Sequence, residues 1–110
     1  MKDFVPVGDG ADFPKGSLVR VSVDGTPVLI HRKREDGQLY AIGALCTHHQ
    51  MDLSQGAVQG DVIICPRHGS QFDLRTGAIV TGPATEPEPV YDVAVEEERV
   101  FVSRAPRKSP

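Results

Sequence analysis

Two stretches, Cys46-Thr47-His48-His49-Gln50-Met51-Asp52-Leu53-Ser54-Gln55-Gly56 and Cys65-Pro66-Arg67-His68-Gly69-Ser70-Gln71-Phe72-Asp73-Leu74-Arg75-Thr76-Gly77, decide how the rest of this 110-residue chain is read. They contain both of its cysteines, each followed closely by a histidine, as Cys46-Thr47-His48 and Cys65-Pro66-Arg67-His68. One thiolate and one imidazole presented twice make a four-donor metal set.

The spacing narrows the metal. Tetrahedral zinc accepts two thiolates and two imidazoles, and the second motif suits it. The first leaves only Thr47 between its ligands, where structural zinc motifs leave about two to four residues. The alternative is a two-iron, two-sulfide cluster in which two histidines replace two cysteines on one iron. Extended through Gly82-Pro83-Ala84-Thr85, the combined run resembles the cluster-binding segment of the Rieske family from Cys46 to Thr85. The resemblance implies one 2Fe-2S cluster, with Cys46 and Cys65 on the inner iron and His48 and His68 on the outer one. It leaves His49 as an exposed residue that does not ligate.

That ligand set implies a function. Two ferric ions, two sulfides and two thiolates sum to no net charge, so reduction leaves a single negative charge. Swapping thiolates for neutral imidazoles therefore raises the potential, to about −150 to +300 mV against about −400 mV for plant-type ferredoxins. With every coordination position filled, substrate has no iron to bind, and the expected role is electron transfer.

Departures from the family pattern refine the expectation. Respiratory and photosynthetic members resemble this segment but carry extra cysteines that tie the two loops by a disulfide; here those positions are Met51 and Arg67. The chain is thus similar to the soluble Rieske-type ferredoxins that feed oxygenases, and its loops must be held by packing and hydrogen bonds. The resemblance gives Ser70 the role of a hydroxyl donor to cluster sulfur, which raises the potential. Phe72 stands where high-potential relatives carry tyrosine, so a second donor is lost. Pro83 falls in the loop that covers the cluster in this family, and Met51 occupies a position where many oxygenase-partner ferredoxins carry an aromatic residue.

Outside these motifs the rhythm is β. Val19, Val21 and Val23 alternate with Leu18, Arg20 and Ser22, then Asp24-Gly25 turns the chain into Thr26, Val28 and Ile30. Strands are expected over residues 38–42, 61–64 and 71–74, and a hairpin pairs 91–95 with 100–103 around Glu96-Glu97-Glu98. Residues 9–14 hold one short turn. His31, beside Arg32, Lys33 and Arg34, is expected to face solvent. These signals predict an all-β, antiparallel sandwich. The resemblance sharpens it to the Rieske fold, one domain over residues 1–110 with a small cluster-binding subdomain at 44–82 and a frayed tail at 105–110.

Net charge of −3 and a pI near 5.7 argue against nucleic acid and suit docking to a basic redox protein. No apolar run reaches the length of a membrane span and no signal peptide opens the sequence, so no membrane partner and a cytoplasmic location are expected. The leading expectation is a non-enzymatic electron carrier between a flavin-dependent reductase and an oxygenase, without a small-molecule substrate of its own. A Rieske-like small subunit of a larger redox enzyme, such as nitrite reductase, and a zinc-stabilised binding module are the alternatives.

Overall fold

The computed structural model describes residues 3–47, 50–67 and 69–107. Its strands are β1 (Phe4–Asp9), β2 (Leu18–Val23), β3 (Thr26–Arg32), β4 (Leu39–Gly43), β5 (Ala57–Gln59), β6 (Val62–Ile64), β7 (Gln71–Asp73), β8 (Ile79–Thr81), β9 (Val90–Tyr91), β10 (Val93–Glu96) and β11 (Arg99–Ser103). Every pairing is antiparallel, and the strands form three sheets ordered β1-β11-β10, β2-β3-β4-β9 and β5-β6-β7-β8. Two short 3-10 turns, Gly10–Asp12 and Leu53–Gln55, supply the only helical segments among the described residues. None is long and apolar enough to cross a membrane.

The middle sheet is covered on both faces, and the two-residue period of its strands shows how. Opposed Ile30 and Ala41 join Phe13, Val28, Tyr91, Val100 and Val102 in one core against the first sheet. Opposed Leu29 and Ile42 join Tyr40, Leu53, Ile63, Phe72, Leu74 and Val90 in a second core against the third sheet. At about 25 cal/mol per Å² of apolar surface removed from water, these layers outweigh the ion pairs that also bridge them. Lys33 Nζ lies 3.0 Å from Asp61 Oδ1, and Arg20 Nη1 lies 3.3 Å from Asp52 Oδ2. Such partly solvated pairs are screened by water and add little.

Double coverage corrects the reading of His31. It lies on the same face of β3 as Leu29 and is buried, with its Nδ1 2.9 Å from the Ser17 carbonyl oxygen. Burial pulls its pKa below the ordinary value, so it is a neutral core residue rather than part of a solvated basic run.

The hairpins follow their turn chemistry. Asp24-Gly25 closes β2 to β3 with φ of 51° and 84°, the left-handed pair that a two-residue hairpin loop requires. Glu97-Glu98 does the same between β10 and β11 with φ of 51° and 69°, without a glycine. The tail departs from expectation as far as Arg107. Its backbone N–H donates to the Val90 carbonyl at 2.7 Å, and its side chain donates to Asp92 Oδ1 at 2.9 Å and to the Arg75 carbonyl at 3.2 Å. Residues 108–110 lie outside the described residues.

Candidate metal centre

The third sheet and its flanking loops lie in sequence between β4 and β9. Cys46 follows β4 and Cys65 follows β6, so each cysteine is delivered where a strand ends. The two loops close in the same way. The Cys46 N–H donates to the Met51 carbonyl at 2.7 Å, while the Gln50 N–H returns to the Cys46 carbonyl at 2.7 Å. The Cys65 N–H donates to the Ser70 carbonyl at 2.8 Å, while the Gly69 N–H returns to the Cys65 carbonyl at 3.2 Å. In both, the fourth residue after the cysteine is left-handed, Gln50 at φ 57° and Gly69 at φ 76°.

Both cysteines are buried, at 1% and 2% exposure, in the same apolar core, and neither forms a disulfide. Two thiols brought to one dry place by equivalent loops, with no bond between them, fit a soft, multi-ligand metal group rather than a structural bridge. The other expected ligands, His48 and His68, lie outside the described residues, as does His49. Among the described residues no third His, Cys, Asp or Glu completes a metal set.

Ser70 is fully buried, and its Oγ accepts the Ala84 N–H at 3.0 Å. That bond ties the second loop to the Gly82-Pro83-Ala84 loop and leaves the hydroxyl hydrogen to donate elsewhere. Pro83 itself is exposed while Ala84 is buried. Phe72 is a core residue on β7, opposed to Ile63. Met51 is half-buried and packs against the core that holds the cysteines.

One residue at the site escaped the sequence reading. Glu88, in Pro87-Glu88-Pro89, looks like an exposed loop acid, yet it is 4% exposed. Its Oε2 accepts the Thr47 N–H at 2.8 Å, and Thr47 Oγ1 donates to the Glu86 carbonyl at 2.7 Å. Burial pushes the Glu88 carboxyl up to about 8, with the Thr47 bond opposing the shift. Burial and the neighbouring Glu88 also raise the Tyr91 hydroxyl. The only sequence signal for the position is the pair of prolines, which fixes the backbone on either side of Glu88.

The chain is similar to known proteins over most of its length. The profile of the Rieske [2Fe-2S] domain family matches residues 3–102. Ferredoxin CarAc of Metapseudomonas resinovorans is 38% identical over 94 residues, covering 84% of this chain and 86% of that protein. The ferredoxin component of the naphthalene 1,2-dioxygenase/salicylate 5-hydroxylase systems of Ralstonia sp is 35% identical, covering 83% of this chain and 86% of its own length. Among solved structures, a chain in the complex of reduced oxygenase and oxidized ferredoxin in carbazole 1,9a-dioxygenase superposes with a TM-score of 0.87 at 34% identity, covering 99% of this chain and 100% of that one.

Proposed function

The chain belongs to the Rieske [2Fe-2S] domain family, and from that membership we propose that it is a one-electron carrier, taking electrons from a flavin-dependent reductase and passing them to a terminal oxygenase. Its similarity to ferredoxin components of dioxygenase systems over most of both lengths supports this, as does its likeness to a chain of a solved oxygenase–ferredoxin complex. The observation that carries the reading is the pair of matching loops that bring Cys46 and Cys65, buried and unbridged, into one core.

The protein carries one Rieske-type 2Fe-2S cluster, which when bound stores and releases a single electron. Cys46 and Cys65 would hold the inner iron and His48 and His68 the outer one, on a subdomain spanning residues 44–82. Ser70, whose Oγ accepts the Ala84 N–H, would have its hydroxyl hydrogen left to donate to cluster sulfur. Phe72 adds core bulk without a donor, Met51 packs against the core that holds the cysteines, and Pro83 stands in the loop that would cover the cluster. The protein transfers electrons and catalyses no reaction itself. The cytoplasm is its proposed location, as suits a carrier that shares electrons with a flavin-dependent reductase.

Low-temperature electron paramagnetic resonance, with iron, zinc and sulfide analysis, tests the reading. A signal that appears on dithionite reduction, with average g below that of all-cysteine clusters, is expected. Reduction by a flavin-dependent reductase and reoxidation by an oxygenase should follow. Zinc without sulfide would overturn the proposal.

A further inference from the structure

Glu88 is the only buried carboxylate among the described residues, and its position is fixed from three sides. Its N–H donates to the Gly77 carbonyl at 2.9 Å, where a side-chain carbon on Gly77 would collide with the Glu88 carbonyl oxygen. The Gly43 N–H donates to the Pro89 carbonyl at 2.9 Å, and a β-carbon on Gly43 would come within 2.6 Å of Glu88 Oε1. The third anchor is the Thr47 N–H on Oε2. The carboxyl also lines a shallow cleft of about 320 Å³ with Thr26, Gly43, Thr47, Gln50 and Tyr91.

No cation offsets this acid among the described residues around it. Tyr91 faces it from β9, and Glu86 lies two residues upstream; neither carries positive charge. Arg75 is engaged by Asp73 and Asp61, and Arg107 by Asp92. Thr47, which Glu88 holds, is the single residue between Cys46 and His48.

We propose that Glu88 is a positioning residue for electron transfer: its carboxyl fixes the backbone between the two ligands of the first loop, and its charge governs how readily the site accepts an electron. The inference rests on the ligand reading above. An anion held beside the loop opposes the added negative charge of the reduced site, and in a poorly solvated place that opposition is large. Burial keeps the carboxyl neutral until the pH rises through about 8. Just above that pH, one electron from the reductase arrives with one proton, which leaves water as hydroxide and binds the Glu88 carboxylate; at still higher pH the carboxylate stays ionised and the electron arrives alone.

The test uses the cluster-loaded protein as wild type, Glu88→Gln and Glu88→Leu. Voltammetry should show the wild-type potential falling as pH rises through about 8. Glu88→Gln keeps the acceptor for Thr47 without the charge, so the part of that fall that belongs to Glu88 should vanish and the variant should lie above wild type on the alkaline side, whatever fall the ligand imidazoles add at higher pH. At about pH 5, where the carboxyl is neutral in the fold and the two proteins are equally stable, chelator-driven bleaching should proceed at the wild-type rate in Glu88→Gln, and about tenfold faster in Glu88→Leu, which loses the acceptor. A Glu88→Gln profile that retraces wild type overturns the charge effect, and a Glu88→Leu bleaching rate equal to wild type overturns the positioning. A wild-type protein without the reduced-state resonance would instead defeat the ligand reading.

Discussion

Loops 46–51 and 65–70 reverse the chain with the same two backbone hydrogen bonds, yet they are supported by different chemistry. The second places glycine at its left-handed position and anchors itself through Ser70, a neutral hydroxyl that accepts the Ala84 N–H. The first places Gln50 at that position and leans on Glu88, an acid that burial makes hard to ionise. Charges near the second loop behave oppositely. Hydrogen bonding from Arg75 holds the Asp73 carboxyl below its ordinary value, so it stays ionised until the solution is acidic. Without a disulfide, the two halves of the metal site are thus held by different side chains, both tied to residues 84–88. The first is the half whose support changes with pH near neutrality.

The largest effect should come from breaking the first loop's support at its base. Gly77 has φ 78°, and any β-carbon there would meet the Glu88 backbone. Gly77→Ala combines left-handed strain with a clash that neither backbone can relieve, and should cost more than about 4 kcal/mol. Thermal unfolding and iron content would both register it. A midpoint equal to wild type would show that residues 86–88 do not depend on this turn.

Next comes the pH dependence of stability. Glu88 is raised to about 8 in the fold from an ordinary 4.5, so between those values the unfolded chain has released a proton that the folded chain retains. The unfolded state then binds fewer protons, and stability falls as pH rises through that window. The cost at pH 8 is on the order of a few kcal/mol. Glu88→Gln should therefore have the higher thermal midpoint at pH 8, with the two proteins converging toward pH 4.5. Parallel profiles across that range would mean the carboxyl is not strained by burial.

What could be read from the sequence here, and what could not, follows the range of each interaction. The Asp24-Gly25 hairpin and the β10–β11 pairing are encoded in neighbouring residues, and the sequence alone locates them, as it does the two cysteines that the fold brings into one core. β1 carries Pro6 inside its apolar run, a residue that argues against a strand, and it forms because β11 pairs with it. β5 and β8 are three residues each and take their structure from β6 and β7. His31 was misread because its burial comes from two sheets packing on β3, which a local run of basic residues does not reveal. Glu88 was missed for the same reason: Thr47, Gly43 and Gly77, which enclose it, are distant in the chain.

On the second loop, Ser70→Ala removes the acceptor for the Ala84 N–H and leaves a buried donor unpaired. This should cost about 1–2 kcal/mol, seen as a lower thermal midpoint. It should also lower the reduction potential, because the hydroxyl hydrogen is lost with the oxygen. Unlike the Glu88 variants, it should shift stability equally at pH 6 and pH 8. A pH-dependent shift would show that the two loops share a titrating support.

The smallest effect isolates backbone strain. Gln50 at φ 57° occupies a region that costs a non-glycine residue roughly 1–2 kcal/mol, while glycine there avoids the side-chain penalty but loses more chain entropy on folding. The two nearly offset, so Gln50→Gly should stabilise the protein by only about 0.5 kcal/mol. Gly69→Gln, the reverse exchange on the other loop, should destabilise by about as much, because both positions close the same ring of backbone bonds. Equal and opposite shifts in thermal midpoint would establish the loops as backbone equivalents, and would leave Glu88 and Ser70 as the source of their difference. If Gln50→Gly destabilised instead, the glutamine side chain would be contributing contacts that outweigh its strain, and the first loop's support would extend beyond Glu88.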